Sequence, residues 1–334
     1  MRFKYDIFAK MRRKALFDFA FQDQFFADTL HSLSDYGIDI SFSPVRGAGA
    51  YHPSALSTER LETPEKQAAF AKGFWAMAES GHIKAHITIP FFASKGRRVH
   101  DFMHEIMHVY QDMCGLYFLP LQEQEVFPIA LDAYSDIVAI SFCEAWAQTE
   151  TIRSCWAIKK NGTGHGWRGA LSHPDFGYMA QAYDADLKNG MDEARAAAKT
   201  FARWYEGAHR EFYERHALHI YELNFARYMK DAPHTTKEEI SQNMRHITWA
   251  ALMAYLPQNS TTKYFDQLDH DVLGLKTQDV IARVQALEHD YGQCKNTAIA
   301  DIKCGAPSYI WGRLRHQEIS TSELPPPDMF AQQS

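Results

Sequence analysis

His104, Glu105 and His108 stand in the spacing HExxH, within a stretch whose pattern reads as helix. Two imidazoles four positions apart lie on one helical face, about a turn from each other, so both can reach a single zinc ion, and the carboxylate between them can take a proton from water. The chemistry implied is metal-assisted hydrolysis.

The flanking residues reinforce this reading. Asp101, His104, Glu105, His108, Gln111 and Asp112 recur at helical steps and form a narrow polar stripe. Val99, Phe102, Met103, Ile106, Met107 and Val109 fill the other faces. A helix that is apolar on most sides and polar along one needs a partner for the polar side, and a cation with its water provides one. His100 would extend the series, but with about 1.5 Å of rise per residue it lies about 12 Å along the axis from His108, too far to share one ion. It is read as a first-turn surface residue or as an outer partner of the site. The third ligand must come from elsewhere, and Glu144 is the one residue charged at neutral pH in the apolar run from Ile137 to Ala147. A buried carboxylate there needs a cation or a metal; the opposing arrangement turns Glu144 to solvent with Ser141, Gln148 and Thr151. Asp132, Asp136 and Glu150, on the same predicted helix, are weaker competitors, since their more polar neighbourhoods make burial demand less explanation.

The run His104-Glu105-Ile106-Met107-His108-Val109-Tyr110-Gln111, followed by Cys143-Glu144-Ala145-Trp146-Ala147-Gln148, resembles the HExxHxxQ and Glu-Ala-x-Ala pattern of gluzincin-like zinc metallopeptidases, particularly poorly characterised bacterial families of that kind. The resemblance covers roughly residues 38 to 150. It implies a zincin-like fold, one Zn²⁺ per chain held by His104, His108 and Glu144, Glu105 as the base that activates water, and a peptide or protein substrate.

The elements that must position these residues are α+β and mainly α: a small sheet with the HExxH helix, then a helical second half. Ile38–Phe42 alternates between Gly37 and Pro44 as a short strand, and Gly47–Tyr51 suits a turn and a second strand. Thr63 and Pro64 open a helix that ends near Gly81, and Ile83–Ile89 reads as a strand stopped by Pro90. The resemblance places this last strand at the cleft edge, where an extended substrate would pair with it. The four-glycine stretch 161–169 reads as a flexible connector, with a lid bringing His165 or His173 to an oxyanion as the alternative. Helices follow over 173–189, across an aromatic-rich stretch 192–229, after a capping box at Thr236 and Glu239, and over 277–291. The expected organisation is a catalytic core over 1–160, a helical region packed on it over 161–319, and a disordered tail from 320 to 334.

Composition fits a globular enzyme, with 46% hydrophobic and 23% charged residues, and a net charge of −6 argues against a nucleic-acid partner. Lys and Arg interleave with apolar residues over the first seventeen positions, a pattern read as a first helix on the core in preference to a membrane-surface helix. No apolar run suits a signal peptide or a membrane span, and five cysteines without CxxC spacing suit free thiols; the expected location is cytoplasmic, with signal-less secretion left open. Two other function classes remain at this stage. One is a carboxylate-bridged di-iron helical protein using Glu105-x-x-His108, Glu206-x-x-His209 and Glu144. The other is a non-catalytic interaction protein that retains a metal site.

Overall fold

A computed structural model describes residues 2–34, 38–43, 50–53, 85–113, 131–231, 246, 263–268 and 274–291. Helix α1 (Arg2–Ala20) and α2 (Gln24–Ser34) precede three strands, β1 (Ile38–Ser43), β2 (Ala50–Pro53) and β3 (Ala85–Pro90). Then come α3 (Lys95–Met113), α4 (Ala133–Lys160), α5 (His165–Leu171), α6 (Gly177–Lys188), α7 (Glu193–Glu206), α8 (His209–Asp231) and α9 (Gln278–Tyr291). The strands near 38–42 and 83–89, the short strand after Gly47 and the final helix match the sequence reading. The predicted helix to Gly81, the capping-box helix and the tail lie outside the described residues.

The sheet order is β1-β3-β2, with β3 parallel to β1 and antiparallel to β2. Ile40, Phe42, Ile87 and Ile89 turn into the core, whereas Ser41 Oγ on the other face lies 3.1 Å from both His86 Nε2 and Thr88 Oγ1. The central place of β3 overturns the expectation that it edges the cleft. Residues 85–88 already have partners on both sides, so no ladder groups remain there for a substrate strand.

Pro90 ends β3 and the chain turns at once into α3, whose first turn is capped by Ser94 Oγ accepting the Arg97 N–H at 3.1 Å. Val99, Phe102, Met103, Ile106, Met107 and Val109 are each at most 1% exposed, as the stripe predicted. Helix α4 is capped by Asp132, whose side chain accepts the Ser135 N–H at 2.7 Å, and is buried on nearly every face through its middle. The alternative that turned Glu144 to solvent therefore fails: Ser141, Gln148 and Thr151 are all buried with it. Glu150 is buried too, and the Arg153 guanidinium 2.8 Å away compensates it.

The largest correction concerns residues 161–169. Only the start of this stretch is a turn; from His165 the chain is helix α5, which crosses the N-terminal part of α3. A Cβ at Gly169 would meet the Gly96 carbonyl, one at Gly96 would meet the His165 carbonyl, and one at Gly166 would meet the Phe19 ring. These glycines permit close helix contact, not flexibility. His173 is likewise not a helical residue. It sits in the turn before α6, where its Nδ1 accepts the backbone N–H groups of Asp175 and Phe176. The stretch 192–229 is two helices, broken at Gly207. One continuous core runs from Leu16 and Phe102 through Trp146 to Trp167, Phe201 and Phe265, so the helical second half packs on the HExxH region.

Candidate metal centre

Adjacent helices α3 and α4 supply the polar cluster. His104 and His108, a turn apart on α3, bring their Nε2 atoms to 3.0 Å from each other. Glu144 on α4 reaches across with Oε2 3.4 Å from His104 Nε2 and Oε1 3.4 Å from His108 Nε2. Glu144 thus converges on the HExxH pair. Around a tetrahedral zinc with bonds near 2 Å, neighbouring ligand atoms stand roughly 3.3 Å apart, and the separations here, 3.0 Å between the imidazoles and 3.4 Å from each to a Glu144 oxygen, are of that size. The orphaned polar atoms agree with that fit: Glu144 Oε2 is buried without a hydrogen-bond partner, an expense that a cation would remove. Glu105 lies beside His104 on the same stripe, 5% exposed.

The protons are arranged by neighbours. Gln111 Nε2 donates to the Cys143 carbonyl at 2.8 Å, which fixes the amide so that its Oε1 accepts from His108 Nδ1 at 2.9 Å. The His108 lone pair is then on Nε2, which faces His104 Nε2 3.0 Å away. Burial pulls His108 down to about 4, with His104 adding to burial and Glu144 opposing it. Burial also disfavours the charged form of His104, but the nearby Glu144 carboxylate, with Glu105 and Asp101 behind, outweighs it and raises His104 above its ordinary value. For Glu144 burial pushes up, while His108, His104 and the Tyr213 hydroxyl leave it net lowered. The cluster therefore favours the charged forms of Glu144 and His104 together and keeps His108 neutral.

Sequence reading missed the residues that enclose this cluster. Tyr213, on α8, lies against Glu144 and beside Glu105, and burial first, then those carboxylates, hold its phenol well above the ordinary range, so it stays protonated. His209 packs edge-on against Phe176 and Trp204, and burial lowers it to about 4. Both come from a helix nearly seventy positions beyond Glu144, and no local pattern marks them. His100 is 1% exposed and lies in the second turn of α3, which overturns its surface reading. His165 stacks on Phe19 at the α1 and α5 contact. The di-iron arrangement loses its second motif: Glu206 ends α7, exposed, and His209 begins α8 across the Gly207 break. Among the described residues the possible cation groups are His104, His108 and Glu144, and a neighbouring set of His100, Asp101 and His173.

A model of the family described as Putative metallopeptidase family (DUF6782) matches residues 83–261, more than half of the chain. The chain belongs to this family. In the DUF6782 match β3, α3, α4 and α5 to α8 fall together, so both the HExxH cluster and the Tyr213 wall lie within the matched segment. No curated protein and no solved structure matches the chain. Membership supports a metal-dependent peptidase. Among the described residues of this DUF6782 member, no helix is long and apolar enough to cross a membrane, and the buried Cys143 and Cys155 are thiols outside any disulfide.

Proposed function

We propose that the chain is a zinc-dependent peptidase with a gluzincin-type site, in which His104, His108 and Glu144 hold one ion and Glu105 is the general base. The observation that carries this reading is the convergence of Glu144 on the histidine pair: the two Nε2 atoms are 3.0 Å apart and each has a Glu144 oxygen 3.4 Å away, Oε2 for His104 and Oε1 for His108. Zinc bound there supplies a Lewis acid for a substrate carbonyl and lowers the pKa of a water towards ~7.

The chain's own groups perform the rest. Gln111 keeps the His108 proton on Nδ1 and so places its lone pair on Nε2, towards His104 and Glu144. Glu105, buried beside His104, takes the proton of the attacking water and passes it to the leaving amine as the amide bond breaks. Tyr213, held protonated, closes the wall near both carboxylates as a neutral donor.

Metal analysis and one substitution test the proposal. Purified protein should carry one zinc per chain, and Glu105→Gln should keep that zinc while peptide hydrolysis falls by about 10²–10⁴. Peptide cleavage unchanged by Glu105→Gln would sink the role of Glu105; iron in place of zinc would favour the di-iron class.

A further inference from the structure

A second buried group of metal-binding residue types adjoins the first: His100, Asp101 and His173 offer one atom each within 4.8 Å of one another. By type alone they would form another cation site, but their hydrogen bonds oppose it. His173 Nδ1 accepts the N–H groups of Asp175 and Phe176, both at 3.1 Å. The proton of the neutral ring is therefore on Nε2, and a protonated nitrogen has no lone pair for a metal. His100 has both nitrogens engaged, Nε2 with Gln148 at 3.0 Å and Nδ1 with Asp101 at 3.4 Å. The Arg97 guanidinium already stands 2.6 Å from Asp101 Oδ1, where it would repel a divalent ion.

Asp101 keeps its other oxygen, Oδ2, buried without a hydrogen-bond partner. On the next turn of α3, His104 Nδ1 is buried in the same condition. The two residues are three positions apart, which sets their side chains next to each other on the helix. Glu144 and His108 both draw the His104 proton to Nε2, leaving Nδ1 bare. When Nε2 is given to a cation, that proton has only Nδ1 to occupy, and a ligating imidazole in this state donates it to a carboxylate or carbonyl. His108 has such a partner in Gln111. His104 has a candidate in Asp101.

We propose that Asp101 is the positioning residue for His104, its Oδ2 accepting the Nδ1 proton while Arg97 holds its other oxygen. His100, Arg97 and His173 then form the outer layer of the metal site, not a second site. This assignment rests on the reading of His104, His108 and Glu144 as ligands.

The test is zinc titration of the full chain against a chromophoric chelator, together with NMR detection of the His104 ring proton. Wild type should take one zinc, and Asp101→Asn should take one with about 10–100-fold weaker affinity. Arg97→Gln, which keeps the carboxylate but removes its ion pair, should lose much less. In zinc-loaded wild type the His104 Nδ1 proton should exchange slowly with solvent. Equal affinity in wild type and Asp101→Asn overturns the assignment. So does a wild type with two zinc ions that falls to one on substitution, since Asp101 would then be a ligand. If Asp101→Asn does not fold, wild type alone decides, and a His104 Nδ1 proton exchanging as fast as that of free imidazole overturns the assignment. A wild type that binds no divalent ion overturns the ligand reading itself, and this assignment with it.

Discussion

Gln111 Nε2 donates to the Cys143 carbonyl oxygen at 2.8 Å, across 32 positions of sequence, and this bond joins α3 to α4 one residue before Glu144. The other end of the same amide accepts from His108 Nδ1. One buried side chain therefore sets the tautomer of one candidate ligand and the position of the helix that carries another. Gln111→Leu should lower zinc affinity by about 10–100-fold and leave the Cys143 carbonyl unpaired at about 1–3 kcal/mol. Chelator competition and chemical denaturation measure the two effects separately. Unchanged zinc affinity would show that His108 needs no help from Gln111.

The three candidate ligands join α3 to α4, so metal binding should stabilise the fold. An ion present at 100 times its dissociation constant contributes about 2.7 kcal/mol. Adding a chelator to zinc-loaded protein should then lower the melting temperature by several degrees. Glu144→Ala removes one of these ligands and should abolish that difference. A zinc-dependent melting shift that survives in Glu144→Ala would mean that the ion sits elsewhere.

The candidate site was legible in the sequence where a residue contradicted its surroundings. The polar stripe of α3 is unusual because six positions of the other faces are apolar, and Glu144 is unusual because its run is otherwise uncharged; burial of both follows from those contrasts. What escaped was non-local. The neighbours of β3 depend on sheet order, which period-two alternation cannot report, so a central strand read as an edge. Tyr213 and His173 reach the site through helix packing, not spacing. Gly166 and Gly169 have the same one-letter signal whether they bend a loop or admit another helix, and only the positions of Gly96 and Phe19 distinguish the two.

Those glycines give a stability prediction. Gly169→Ala places a methyl against the Gly96 carbonyl, where backbone and not a flexible side-chain end must move. Overpacking of this kind costs about 1–3 kcal/mol. Because α5 crosses α3 ahead of the HExxH stretch, the variant should melt lower, and any loss of zinc affinity should be small compared with that of Glu144→Ala. Gly162→Ala probes a different effect: open space surrounds that position, but its φ of 103° strains any side chain. A Gly169→Ala variant as stable as wild type would mean that the α3 and α5 crossing can widen freely.

Asp136, in the first turn of α4, gives a pH dependence that can be separated from the metal. Burial, reinforced by the charge of Asp132, raises its carboxyl from 3.8 to about 7. A carboxyl whose pKa is raised by folding binds its proton more tightly in the native state, so stability falls as pH climbs from the unfolded value towards the folded one. Asp136→Asn removes that penalty, although the half-buried position and the N-terminal helix dipole both moderate it. The variant should melt above wild type at pH 8, by about 2–4 °C for each ~1 kcal/mol relieved, and the gap should narrow at pH 5, where the native carboxyl is mostly protonated. Thermal unfolding of chelator-treated protein at the two pH values measures it. A gap that is the same at both would show that Asp136 carries no raised pKa and that its cost, if any, is steric.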